Sequence, residues 1–127
     1  MSFKGKYQVE RQENLEAFMK LLGATDEMIE QFKDIKVITE VEENGDHFKM
    51  TDIMGSNVRV VAFTIGQESE VDGAGGEKVK VFATRQGNKV KLTMPTMECI
   101  LEMTDKNTLV STTTAGTVVH KRISKRI

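Results

Sequence analysis

Turn-forming residues recur about every ten positions along most of this 127-residue chain, at Asn44-Gly45, Gly55, Gly66, Gly73 to Gly76, Gly87-Asn88, Asp105 to Asn107 and Ala115-Gly116. Segments rich in Val, Ile, Thr and Phe lie between them, at 37–43, 47–53, 58–65, 78–85, 89–94, 97–103, 108–114 and 117–126. Such spacing is the mark of an all-β sandwich or barrel with antiparallel hairpins. Adding 6–11 and a short piece at 68–72 predicts about ten strands, with the single proline, Pro95, between two of them. No linker interrupts the series, so one domain spanning 1–127 is expected.

Only residues 14–36 break the pattern. Leu15, Phe18, Met19 and Leu22 recur at helical spacing and Gly23 supplies a stop. Thr25 then offers an N-cap, Asp26 and Glu27 a negative first turn, and Met28, Ile29, Phe32 and Ile35 a second apolar stripe ending near Lys33 and Lys36. A helical hairpin is thus expected early in an antiparallel meander. Ten strands hide their edges best by closing. A barrel of that size leaves a ligand-sized interior.

Charge and composition narrow the partners. Eighteen Lys and Arg against nineteen Asp and Glu leave a net charge of −1, and 39% of residues are hydrophobic. The near-neutral balance argues against a nucleic-acid binder and the apolar content against disorder. No apolar run approaches the length of a membrane span, and the start of the chain lacks a signal-peptide pattern. A lone cysteine, Cys99, cannot form an internal disulfide and fits a reducing compartment, so a cytoplasmic location is expected. A monomer is expected separately. His47 and His120 have no partners at zinc-ligand spacing, and the glycines at 73–76 lack the Lys-Ser or Lys-Thr pair of a phosphate loop. Neither a metal site nor a cofactor is expected.

The last strand carries the chemistry. One face reads Val118, His120, Arg122, Ser124 and the other Val119, Lys121, Ile123, Lys125. Whichever points inward takes a cation with it, and a buried cation needs water or an anion. Other strands mix small polar and apolar groups on one face: Met97, Cys99, Leu101 and Met103, and Thr39 beside Val37 and Val41. Together with eight methionines, such faces suit an amphipathic guest.

These residues resemble the intracellular lipid-binding proteins, the fatty-acid-binding family, over essentially the whole chain. The resemblance rests on Gly5, Tyr7, Val9, Asn14, Glu16, Phe18, Met19 and Leu22, on Lys33-Asp34-Ile35-Lys36, and on Glu40, Asn44-Gly45 and Phe48. It continues through Phe63-Thr64-Ile65-Gly66, Glu68 and Gly76-Glu77-Lys78. Leu15 departs, standing where the family usually has Phe or Tyr. The ending Lys121-Arg122-Ile123-Ser124-Lys125-Arg126-Ile127 is similar to the liver-type branch, while Phe18 to Gly23 and Val37 to Val41 also resemble the ileal bile-acid-binding branch.

The resemblance implies a clam-shaped barrel under a helix-turn-helix lid, carrying a fatty acid or another amphipathic anion without turnover. It implies that Arg122 points inward to pair with a ligand carboxylate and that Ser124 and Thr39 hydrogen-bond to it. Ser111 stands where liver-type proteins have Asn, Met50 where they have Phe, and Gln31 where they have a portal Lys. His120 replaces an apolar inward residue and is expected to act as a second cation favouring bile-salt-like ligands. The implied portal is Met28 and Gln31 with the turns holding Met54, Asn57 and Ala74.

Expected ligands are fatty acids, with bile acids, fatty acyl-CoA and other hydrophobic anions as further candidates, and transient membrane contact through helix two and nearby lysines. Two other readings compete. A bile-acid carrier would show weak chain-length dependence, and an esterase- or peroxidase-like activity would need Cys99 or His120 to act on a bound ligand.

Overall fold

The computed structural model describes residues 2–72 and 77–127. Its chain order is β1 (Gly5–Glu13), α1 (Leu15–Leu21), α2 (Asp26–Lys33), β2 (Val37–Asn44), β3 (His47–Met54) and β4 (Asn57–Thr64). There follow β5 (Glu68–Asp72), β6 (Lys78–Gln86), β7 (Lys89–Thr93), β8 (Glu98–Asp105), β9 (Thr108–Ala115) and β10 (Val118–Arg126). The fold is the expected all-β one: ten antiparallel strands in the order β4-β3-β2-β1-β10-β9-β8-β7-β6-β5, a nearly closed barrel with two short helices near its start.

Closure comes from β1, which pairs with β2 on one side and β10 on the other, so the chain's two ends zip together. The ladder stops between β4 and β5. There the sheet is held by the Gly66 N–H donating to the Ala83 carbonyl at 2.7 Å, beside a single bridge from Ile65 to Ala83. At the β2–β3 hairpin Gly45 takes φ 63°, the left-handed conformation a two-residue hairpin turn demands. At Gly5 the backbone takes φ 150°, a conformation L side chains rarely adopt.

Helix boundaries follow their caps. Thr25 Oγ1 accepts the Met28 N–H at 3.2 Å, as its residue type predicts. The second helix stops earlier than the apolar stripe suggests, at Lys33. Asp34 leaves helical geometry (φ −101°, ψ 1°) and the Ile35 N–H bonds back only to the Phe32 carbonyl, so Ile35 and Lys36 lie in the connection. Asn14 opens α1 in a left-handed conformation and uses its side-chain amide to bond the Val119 carbonyl at 2.9 Å, fastening the lid to β10.

The barrel end remote from the helices is solid. Phe48 stacks on Phe63 at 5.2 Å and meets Phe3 edge-on at 5.8 Å, with Tyr7 and Met103 fully buried nearby. Tyr7 Oη donates to the Phe3 carbonyl at 2.8 Å. Arg85 lies over Phe3 and Phe48 and pairs with Glu43 at 3.0 Å, while the other Glu43 oxygen accepts the Phe3 N–H.

Candidate functional site

Alternation along the strands decides what faces inward. On β10 the even positions His120 and Ser124 are buried and Arg122 is largely so, while Val119 and Lys125 face out. On β3 the same rule turns Phe48, Met50 and Asp52 inward. Met50, Asp52, His120, Arg122 and Ser124 meet in a cavity of about 180 Å³, while Phe48 packs into the closed end. By a measure in which one water needs about 10–15 Å³, that is room for roughly a dozen waters.

Of the residues singled out from the sequence, Arg122, Ser124, Thr39, Met50, Ser111, His120, Cys99 and Leu101 all line this cavity. Cys99 Sγ lies 3.5 Å from Ser111 Oγ. The portal residues lie elsewhere. Met28 and Gln31 are exposed on α2, and Met54 pairs with Asn57 across the β3–β4 turn; none of the four lines the cavity. Ala74 lies outside the described residues.

The polar centre holds a residue the sequence reading missed. Thr39 Oγ1 donates to Asp52 Oδ1 at 2.7 Å, and Arg122 Nη1 approaches Asp52 Oδ2 at 3.4 Å. The expected ligand partner Thr39 thus already serves an internal carboxylate. The Arg122–Asp52 distance is long for a charge-assisted bond, and the buried Arg122 Nε has no hydrogen-bond partner. Inward alternation from Phe48 through Met50 was the signal that would have found Asp52. Across β1–β10 the register partner of Arg122 is Gln12, and across β3–β4 that of Asp52 is Arg59, which also lines the cavity.

His120 departs from its expected role. Burial, and secondarily the neighbouring Arg122 charge, push its pKa down from 6.5 to about 4, so at neutral pH it is no second cation. Its Nε2 donates to Gln12 Oε1 at 2.8 Å and its ring stacks on Phe18 of α1 at 4.8 Å, 9° from parallel. It joins the lid to the barrel wall as an uncharged plate. Gln12 and Phe18 become visible in this role only through the fold, since Gln12 lies 108 residues away in sequence.

Among the described residues, the arrangement is a largely apolar chamber lined by two guanidinium groups, Arg59 and the partly satisfied Arg122, by the Asp52 carboxylate and by small hydroxyls. It can hold a chain-like or ring-like apolar body and bond a polar head. Comparison with known proteins places the chain among relatives of the same length and overall fold. Zebrafish (Danio rerio) fatty acid binding protein 1-B.1 is 51% identical over 127 residues, covering 100% of this chain and 99% of that one. The liver-type fatty acid-binding protein of Epinephelus coioides is 50% identical over 127 residues and the full length of both. Zebrafish ileal bile acid-binding protein, solved in complex with cholic acid, superposes with a TM-score of 0.86 at 35% identity, covering 98% of each chain. All of residues 1–127 match one family description, and on that match and these full-length relatives the chain belongs to the lipocalin / cytosolic fatty-acid binding protein family.

Proposed function

We propose that this protein is a cytosolic carrier of long-chain fatty acids and related amphipathic anions, holding the ligand's acidic group at Arg122 and its tail among the apolar cavity side chains. The observation that carries the reading is Arg122 itself. It is a mostly buried guanidinium in an apolar-lined chamber, with its Nε unbonded and its nearest carboxylate at 3.4 Å. Such a group gains most from an added acceptor, because hydrogen bonds to charged groups are worth about 1.5–3 kcal/mol and an unmet one is costly. Tail burial supplies the larger share, at about 0.8 kcal/mol per methylene before the costs of association. Affinity should therefore rise with chain length.

Binding without turnover fits the positions of Cys99 and His120. The thiol faces Ser111, and the imidazole donates from Nε2 to Gln12 and stacks on Phe18. The protein acts as a monomer and hands ligand over during brief membrane contact, using Leu21, Leu22 and Met28, which stand exposed on the helical lid. The names of its liver-type relatives support a fatty-acid cargo, and the family description supports residence in the cytosol.

Calorimetric titration of delipidated protein with oleate tests the reading, and Arg122→Gln should weaken oleate binding by at least tenfold while the urea midpoint moves little. Full oleate affinity in the variant would remove Arg122 from the site. A bile-acid carrier is the second reading, favoured by the likeness to a relative solved with cholic acid. Tight binding of a conjugated bile salt with feeble oleate uptake would select it.

A further inference from the structure

Asp52, the one carboxylate lining the cavity among the described residues, is placed where it bears on ligand choice. Thr39, Asp52 and Arg59 are successive register partners across β2, β3 and β4, so Asp52 stands between a hydroxyl and a cation on the same sheet. Thr39 bonds it at 2.7 Å. Arg59 forms no ion pair with it among the described residues, and the only cation within 4 Å is Arg122, reaching across at 3.4 Å. Of the other titratable groups lining the cavity, His120 on β10 hydrogen-bonds Gln12 and Cys99 on β8 lies against Ser111.

Donors and acceptors are then left over in adjacent positions. A carboxylate offers about four acceptor sites and a guanidinium five donors. Asp52 uses one oxygen for Thr39 and the other for Arg122, while Arg122 Nε is unbonded. A simple carboxylate arriving at Arg122 satisfies the guanidinium but sets a second negative charge beside Asp52, and two carboxylates sharing a site disfavour one another. A head group that adds a donor next to its acid meets both: the acid takes Arg122 and the donor takes Asp52.

Resting on the carrier reading above, we infer that Asp52 is a specificity-determining residue that selects amphiphiles bearing a hydrogen-bond donor, an amide N–H or hydroxyl, beside the acidic group over plain fatty acids. It does so twice over. It rewards the donor, and its own negative charge opposes a plain carboxylate that brings no donor to offset the repulsion.

The test is titration of wild type and Asp52→Asn with oleate and with N-oleoylglycine, which has the same acyl chain plus an amide N–H next to its carboxylate. Wild type should bind N-oleoylglycine at least fivefold more tightly than oleate. Asp52→Asn keeps the shape and removes the charge, so oleate affinity should rise at least fivefold and the preference should shrink to under twofold. A merely structural role for Asp52 moves both ligands together and leaves their ratio alone. Equal or tighter oleate binding by wild type overturns the inference without any variant. An unchanged ratio in Asp52→Asn also overturns it, with the carrier reading intact. Binding of neither probe by wild type overturns both.

Discussion

The two halves of the barrel interior are built from similar strands and do opposite things with their polar groups. At the end remote from the helices, Phe3, Phe48 and Phe63 pack ring to ring, and the charges beside them are matched: Arg85 with Glu43, Glu43 with the Phe3 N–H, Tyr7 Oη with the Phe3 carbonyl. Toward the lid the strands enclose a cavity, Arg122 and Asp52 stand 3.4 Å apart, and the Arg122 Nε is unbonded. The closed end has satisfied itself and contributes stability. The lid side has left its strongest donor wanting, which is the condition a binding site requires and a folding core avoids.

That contrast is open to attack by substitution. The largest effect is expected at the closed end, where Phe48→Ala should cost about 3–5 kcal/mol, read from urea unfolding, because the emptied ring position lies between two other rings. Oleate affinity of the folded fraction should change far less than in Arg122→Gln. A variant that loses affinity as steeply as stability would show that the two halves are not separable.

The next effect is a pH dependence. The folded chain holds His120 near pKa 4 against an ordinary 6.5, so the unfolded chain takes up the proton first as pH falls. Its stability contribution is therefore complete above pH 6.5 and declines as pH drops through 6.5 toward 4. Near pH 4.5 the loss amounts to roughly 2–3 kcal/mol. His120→Phe, which keeps a ring against Phe18, should lack that part of the acid destabilisation. Parallel urea midpoints for the two proteins at pH 7 and pH 4.5 check it, and an identical drop in both would mean that other groups carry it. Across pH 6 to 8 His120 stays neutral, so ligand affinity should not follow its titration.

The smallest effect belongs to the lid. Thr25→Ala removes the side-chain acceptor for the Met28 N–H and should cost about 1 kcal/mol, with equilibrium oleate affinity altered less than twofold. A larger affinity change would tie α2 into the cavity, although none of its side chains lines it.

Much of this was open to reading from residue order. Turn residues at ten-residue intervals marked the hairpins, and Thr25 and Gly23 marked helix ends, because those signals act through a few neighbouring backbone groups. Arg122, Ser124 and Thr39 were found by resemblance, and the alternation of β10 already implied an inward cation. Asp52 was equally readable from the alternation of β3 and was passed over. The charge of His120 was not readable at all. A histidine beside Arg and Ser in sequence suggests a cation, but burial in the barrel and, secondarily, the Arg122 charge make it neutral.

The sequence by itself determined the strands, their alternation, the early helical pair and the inward row on β10, since each depends on contacts within a few residues or between adjacent hairpin arms. Tertiary structure alone decided that β1 would join β2 to β10, that Asp52 would stand 3.4 Å from an arginine 70 residues away, and that His120 would lose its charge. Desolvation and ion pairing depend on which distant surfaces meet, and no local pattern encodes that.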